Sequence, residues 1–269
     1  MEKISSLQNQ RVKRAVKLHT SRGRQQQNRI IVFGRTEILR AVECQVAAEE
    51  AFVCTQHLND QSREVVEVLA AADIPMFELP DDVFQKLSYG DRSDGLVLVA
   101  QPPELDLEQL GSCLKTDETA LVIVLESLEK PGNVGAVFRT ADAVGAAAVV
   151  LANPVTKVFH PNSIRASLGT VFSIPCAVAD SDSVIRWLTE NGFSIFPAIV
   201  DTTCEYSGVD FRQRSAIVFG SESQGLSESW RDERFQAIKI NMAGAADSLN
   251  VSVSAAVVAF EARRQCKEN

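Results

Sequence analysis

The chain has 269 residues, 45% hydrophobic and 23% charged, the balance of a soluble globular protein with room for one large domain or two modest ones. No apolar run approaches the roughly 20 residues of a membrane helix, and the first residues hold no apolar segment of a secretory signal, so a cytoplasmic protein without a membrane partner is expected. The formal charge of −8 conceals a split, because residues 1–40 carry ten Lys and Arg against Glu2 and Glu37, whereas the remainder carries 17 basic and 33 acidic residues. That split fits a phosphate-facing end, and equally a solvated basic helix.

In chain order, a basic arm leads into Arg29–Phe33, an apolar run expected as a strand, and a helix from Thr36 to about Val46. Glu50–Cys54 is a second strand. Asn59 or Asp60 caps a helix to about Ala72, Pro75–Leu79 is short and extended, and Asp81 caps a helix to about Leu87. Gly95–Ala100 closes this small α/β domain, taken as residues 1–100. The Gln101-Pro-Pro sequence and the polar residues after it make 101–118 a linker.

A second domain, 119–269, opens with Ala120–Leu125, wholly apolar as in a parallel strand covered on both faces. A helix from about Asn133 to Val144 and a strand at Ala147–Leu151 follow. Helices near Pro161–Leu168 and Ser181–Glu190 come next, with strands at Phe193–Ile199, Ser215–Phe219 and Ala237–Ile240. The last helix runs from about Ser248 to Arg264, its apolar side including Val253, Val257 and Phe260. Alternating strands and helices predict a doubly wound α/β domain.

Three segments after residue 125 carry polar groups where strands end, the place where open α/β sheets collect ligands. In Glu129–Asp142, Gly132 and Gly135 allow close backbone approach, Asn133 can cap the following helix, and Arg139 lies nearly two turns along it. In Val218–Leu226, Gly220 and Gly225 bracket Glu222. In Ile240–Ser252, Ser248, Asn250 and Ser252 crowd a helix start, where capping alone could account for them. A serine hydrolase is excluded, because the glycines do not fit Gly-x-Ser-x-Gly and no His follows His160. No dinucleotide or Walker fingerprint is present. Six cysteines without a Cys-x-x-Cys pair, and only His19, His57 and His160, point to no metal and no disulfide framework.

Together, Asn133–Asp142, Gly220–Leu226 and Ser248–Ser252 resemble, in order and spacing, the three motifs of the SpoU-type RNA 2′-O-methyltransferases of the SPOUT superfamily. Ser163–Gly169 is similar to the family's intervening Arg-Ala-Ser-x-Gly element, and Ile4–Lys13 to the start of its ribosomal-protein-like substrate-binding domain. The chain departs in having Asn241 where proline commonly precedes the methionine, and in the Ala- and Gly-rich loop Met242–Asp247.

The resemblance implies an α/β trefoil-knot domain that dimerises and binds S-adenosylmethionine, preceded by a small α/β RNA-binding domain. It implies cofactor contacts at Phe219, Gly220, Ile240, Met242 and Leu249, and reaction roles for Asn133, Arg139, Glu222, Ser248 and Asn250. Arg139 would contact the target phosphate and either stabilise or accept the hydroxyl proton, with electrostatic activation favoured because a guanidinium holds its own proton so tightly. RNA contacts are expected from Arg11, Lys13, Arg14, Arg22, Arg24 and Arg165, with ribosomal RNA favoured over tRNA. A noncatalytic RNA-binding module and a Rossmann-like small-molecule enzyme are the alternatives. The first is opposed by the intact polar set, the second by the missing glycine fingerprint and the basic front.

Overall fold

The computed structural model describes residues 1–88, 94–114 and 119–267. The chain divides into two compact units, Met1–Pro103 with Phe159–Ser173, and Glu104–Val158 with Ile174–Asn269.

In the first unit, β1 (Glu2–Lys3), β2 (Ile30–Phe33), β3 (Ala48–Val53), β4 (Met76–Glu78) and β5 (Leu96–Ala100) form a mixed sheet in the order β1-β4-β3-β5-β2. Helices α1 (Gln10–Lys17), α2 (Ser21–Gln27), α3 (Arg35–Glu43), α4 (Asp60–Ala71) and α5 (Asp81–Leu87) accompany it. Asn59 caps α4 as expected, accepting from the Ser62 amide at 2.8 Å. Asp81 does not cap α5. Pro80 holds that position, and the Asp81 carboxylate accepts from the His57 ring at 2.6 Å instead.

The basic front is not an arm but part of this fold. Asn9 and Thr20 cap α1 and α2 by accepting from the amides of Arg11 and Gly23. Val12, Ala15 and Leu18, spaced for one helix face, are buried in a core with Ile31, Phe52, Phe77 and Phe84. Burying an aliphatic side chain of this size contributes about 1.5–3 kcal/mol, so α1 is bound into the unit. Lys13, Arg14, Lys17 and Arg22 remain on the exposed side. Two expected RNA contacts are corrected or qualified by their surroundings. Arg24 is only 9% exposed, and its Nη1 donates to the carbonyls of Leu18 and His19 at 2.8 and 3.0 Å, which ties the end of α1 to α2. Arg11 pairs with Glu50 at 2.7 Å and lies over the Phe77 ring at 4.5 Å.

The second unit is built on β6 (Leu121–Glu126), β7 (Ala148–Ala152), β8 (Cys176–Ala179), β9 (Ser194–Pro197) and β10 (Ser215–Phe219), all parallel, in the order β8-β7-β6-β10-β9. Every residue of β7 and β10 is buried, as helix-covered parallel strands require. The helices are α6 (Leu107–Cys113), α7 (Pro131–Val144), α9 (Ser181–Glu190) and α10 (Val251–Lys267), while α8 (Pro161–Ala166) belongs with the first unit. Between β6 and β10 the strand order reverses, which opens a crevice beyond their carboxyl ends.

Several expectations are corrected here. The stretch 101–118 is no plain linker, because Asp106 caps α6 and Leu110 enters the second core; residues 115–118 lie outside the described residues. Phe159–Ser173 joins the first unit, where Arg40 donates to the Leu168 carbonyl at 2.8 Å. There Gly169 (φ +83°) lets the chain pass so close to α3 that a Cβ would lie 3.1 Å from the Glu37 Cα. Ala237–Ile240 makes only isolated bridges, Ala198 to Ile238 and Glu205 to Lys239, rather than a strand. Helix α10 begins at Val251 and buries Val251, Ala255, Val258, Ala259 and Ala262, whereas Val253 and Phe260 of the expected apolar side face outward. Among the described residues no helix is long and apolar enough to cross a membrane.

Candidate active site

Beyond β6, Ser127 turns the chain with a positive φ and Pro131 occupies the first position of α7, where its fixed φ suits helix entry and its missing N–H costs nothing. Lys130 is therefore the N-cap, and Asn133, expected to cap, sits two residues inside the helix. Its side chain is left free to donate from Nδ2 to Glu222 Oε1 at 2.8 Å.

Glu222 is carried by the turn that follows β10. Ser221 N donates to the Gly225 carbonyl at 3.2 Å and Gly225 N returns to Ser221 O at 3.0 Å. The turn is so tight that a Cβ on Gly220 would stand 2.2 Å from the Gly225 carbonyl carbon. From the third segment comes Asn250, just ahead of α10. Its Oδ1 accepts from the amide and hydroxyl of Ser252 at 3.0 and 2.6 Å, which turns Nδ2 toward Glu222 Oε1 at 2.7 Å and Asn133 Oδ1 at 3.5 Å. Lys130 completes the group by an ion pair with Glu222 Oε2. Three chain segments thus meet on one carboxylate.

Hydrogen bonding from the Lys130 ammonium, with help from Asn133, holds the Glu222 carboxyl below its ordinary range. A group with a depressed folded pKa keeps its stabilising contacts above the unfolded pKa and loses them as pH falls through the folded one. Glu222 is hence an anion at neutral pH, fully engaged as an acceptor.

Beside it lies a cleft of about 570 Å³. Phe219, Gly220, Ile240, Met242 and Leu249, all the expected cofactor contacts, line it, as do Glu222 and Ser248. Ile199 and Leu226 add apolar wall, and Asp247, Lys239 and Arg231 add charge. Apolar walls with a few convergent polar groups, at a volume within the usual ~300–1,000 Å³ of ligand sites, fit the adenosine and amino-acid parts of S-adenosylmethionine. A smaller cavity of about 240 Å³, lined by Lys130, Asn133, Ser221, Glu222 and Val251, shares Glu222 with it. The carboxylate therefore borders both spaces, as do Ser221 and Val251.

Arg139 stands apart. Six residues beyond Asn133 it has turned about 240° round the helix, it is exposed, and it lines neither cavity. Among the described residues it has no ion-pair partner. Arg165 is likewise exposed, on α8. Lys130 is missed in the sequence, and Ser252 is read there only as a helix-start group. Both lie inside the motif segments, but nothing in their spacing says that one reaches Glu222 and the other holds the Asn250 amide.

Among the described residues, one other cluster has ligand-type atoms. Cys54, His57 and Asp81 bring theirs within 4.8 Å of one another. His57 and Asp81 are already bonded at 2.6 Å, closer than the ~3.3 Å between two ligands of one tetrahedral zinc, and burial pushes the Cys54 thiol up. The cluster is a hydrogen-bonded His57–Asp81 pair beside a buried thiol.

The chain matches the model of the SpoU rRNA Methylase family over residues 120–260 and that of the MRM3-like substrate binding domain over residues 9–98. It is 26% identical over 263 residues to the Bacillus subtilis (strain 168) 23S rRNA (guanosine(2553)-2′-O)-methyltransferase RlmP, covering 98% of this chain and 100% of that one. It is 37% identical over 159 residues to a tRNA (guanosine(18)-2′-O)-methyltransferase of Thermus thermophilus, covering 58% of this chain and 81% of that one. Among solved structures it is similar to the SpoU methyltransferase AviRb from Streptomyces viridochromogenes in complex with the cofactor AdoMet, with a TM-score of 0.84 and 26% identity over 96% of this chain and 98% of that one.

Proposed function

This chain belongs to the SpoU rRNA methylase family, and from that premise we infer that the ribose 2′-hydroxyl it methylates with S-adenosylmethionine lies in ribosomal RNA. The observation that carries the choice of RNA is coverage. The similarity to the ribosomal RNA enzyme runs through both units, whereas the similarity to the tRNA enzyme covers 58% of this chain. Mapping 2′-O-methyl groups in total RNA from cells with and without the protein tests it. Loss of a methyl at a ribosomal RNA nucleotide is the expected result, and a change confined to tRNA would overturn the choice.

When bound, S-adenosylmethionine supplies an electrophilic methyl group on a sulfonium sulfur. The protein's task is alignment, which contributes roughly 7–11 kcal/mol in well-oriented intramolecular models. Phe219, Ile240, Met242 and Leu249 give the cofactor cleft its apolar walls, while Gly220 keeps the backbone beside it free of a side chain. Glu222, gripped by Lys130, Asn133 and Asn250, stands where the cofactor cleft adjoins the smaller cavity, which in this reading is the acceptor cavity that takes the target ribose. Ser248 offers its hydroxyl on the cleft rim. Arg139, exposed and unpaired among the described residues, takes an RNA phosphate and lowers the cost of charge on the 2′-oxygen. Lys13, Arg14, Arg22 and Arg165 are exposed cations for the phosphate backbone, an attraction that weakens steeply with salt.

We further infer a homodimer through the second unit, whose chain threads the family's trefoil knot. The bridges of Ala198 to Ile238 and of Glu205 to Lys239, which lay the segment after β10 beside the one after β9, support the knot. For the dimer the support is α10. Val253 and Phe260, at helical spacing, are 46% and 53% exposed on a helix whose other side is packed, and such an outward apolar stripe fits a second copy of the chain. Phe260→Glu is expected to halve the mass measured by sedimentation; an unchanged mass would remove Phe260 from the interface.

A further inference from the structure

Glu126 is a buried carboxylate for which none of the roles above accounts. At 2% exposure it ends β6, and an uncompensated charge there would be costly. Its oxygens are instead fully engaged. Oε2 accepts from the Ser227 amide at 2.7 Å, and Oε1 accepts from the Ser227 hydroxyl at 2.7 Å and the Ser181 hydroxyl at 2.6 Å. Ser181 in turn accepts from Asn153 Nδ2 at 2.9 Å. These four residues belong to four different strand ends. Glu126 closes β6, Asn153 follows β7, Ser181 opens α9 after β8, and Ser227 follows the turn after β10.

The placement of Ser227 gives the network its consequence. It comes directly after Leu226, which is buried, so the Glu222 turn is anchored at one end by β10 and at the other by Glu126. Glu126 is also four residues ahead of Lys130, at the root of the segment that grips Glu222 from the other side. One buried carboxylate thus ties together the bases of the two loops whose tips meet at Glu222.

We propose that Glu126 is a positioning residue for methyl transfer, which acts through Ser227 to set the height of Glu222 between the cofactor and acceptor cavities. Its charge suits this role, because three donors converge on it. An amide at this position would turn an N–H toward one of them and release the turn. The proposal rests on the assignment of the Glu222 group to the reaction, and the experiment keeps the two apart.

Turnover, the KM for RNA and S-adenosylmethionine affinity are measured for wild type, Glu126→Gln, Glu222→Gln and the double variant, well below each unfolding midpoint. Ser227→Ala, which removes only the hydroxyl, serves as a milder break should Glu126→Gln fold poorly. Glu126→Gln is expected to lower kcat roughly tenfold, as small displacements at a reacting centre do, with the KM for RNA nearly unchanged. Added to Glu222→Gln it should have no further effect, because both changes act on one group. Ser227→Ala should lower kcat in the same sense and by less. Independent, multiplying effects of Glu126→Gln and Glu222→Gln would overturn the proposal, as would a loss of kcat that merely follows the folded fraction. If Glu222→Gln itself leaves turnover at the wild-type level, it is the assignment of the Glu222 group that fails, and Glu126 with it.

Discussion

Arg139→Ala is expected to lower kcat for methyl transfer roughly a hundredfold or more, with S-adenosylmethionine affinity nearly unchanged. The magnitude applies once bound RNA covers the exposed guanidinium and brings the reacting ribose to it, where removing one charge from a developing anion costs about 2.7–4 kcal/mol. The two effects separate because Arg139 is exposed on α7 and lines neither cavity, so its loss leaves the cofactor walls as they are. Arg22→Ala provides the contrast. An exposed cation of the first unit that meets backbone phosphates should raise the KM for RNA and flatten its salt dependence by about one unit of slope, with kcat kept. A wild-type kcat in the Arg139 variant, measured with RNA and cofactor both saturating, would remove the residue from the reaction.

Much of this arrangement is legible in the sequence, and the errors share a cause. The apolar runs at 121–125 and 216–219 announce the two strands whose carboxyl ends carry the site, since an uninterrupted run can be buried on both faces only in a covered sheet. The identities of Asn133, Glu222 and Asn250 are likewise visible in their segments, although their meeting is not, because contacts across 28, 89 and 117 residues leave no local periodicity. Counting charge in the first forty residues ignores helical phase. Val12, Ala15 and Leu18, lying among the cations, are what bind α1 into the core, and Arg24 faces inward with them. Helix α10 shows the same ambiguity in reverse. It carries two apolar stripes, and a hydrophobic pattern cannot say which one the fold covers and which it leaves outside. Capping chemistry misplaces Asn133 because Pro131 starts α7 two residues earlier, which turns an expected cap into a donor for Glu222. Nothing local marks Phe159–Ser173 as belonging with the first unit, since what holds it there is long-range: the bond from Arg40 to the Leu168 carbonyl, the close passage at Gly169 beside α3, and the packing of α8 against β2.

Gly220→Ala is the second substitution expected to have a large effect, and it acts by sterics alone. Its Cβ would lie 2.2 and 2.3 Å from the carbonyl carbon and oxygen of Gly225 and 2.5 Å from the Leu226 amide nitrogen. These are backbone atoms, so no rotamer change can relieve the clash, and the turn has to open. Opening it breaks the paired bonds between Ser221 and Gly225 and displaces Glu222 from Asn133 and Asn250. It also moves one wall of the cleft that Phe219, Ile240 and Met242 share. Overpacking of this kind costs about 1–3 kcal/mol, and because the strain is local to the turn, the loss should appear in function before it appears in folding. The expected result is a chain that still unfolds cooperatively, with S-adenosylmethionine affinity reduced at least roughly tenfold and turnover reduced further. Calorimetric titration of the folded variant decides the matter, because wild-type affinity there would mean that the Gly220 turn does not shape the cofactor site.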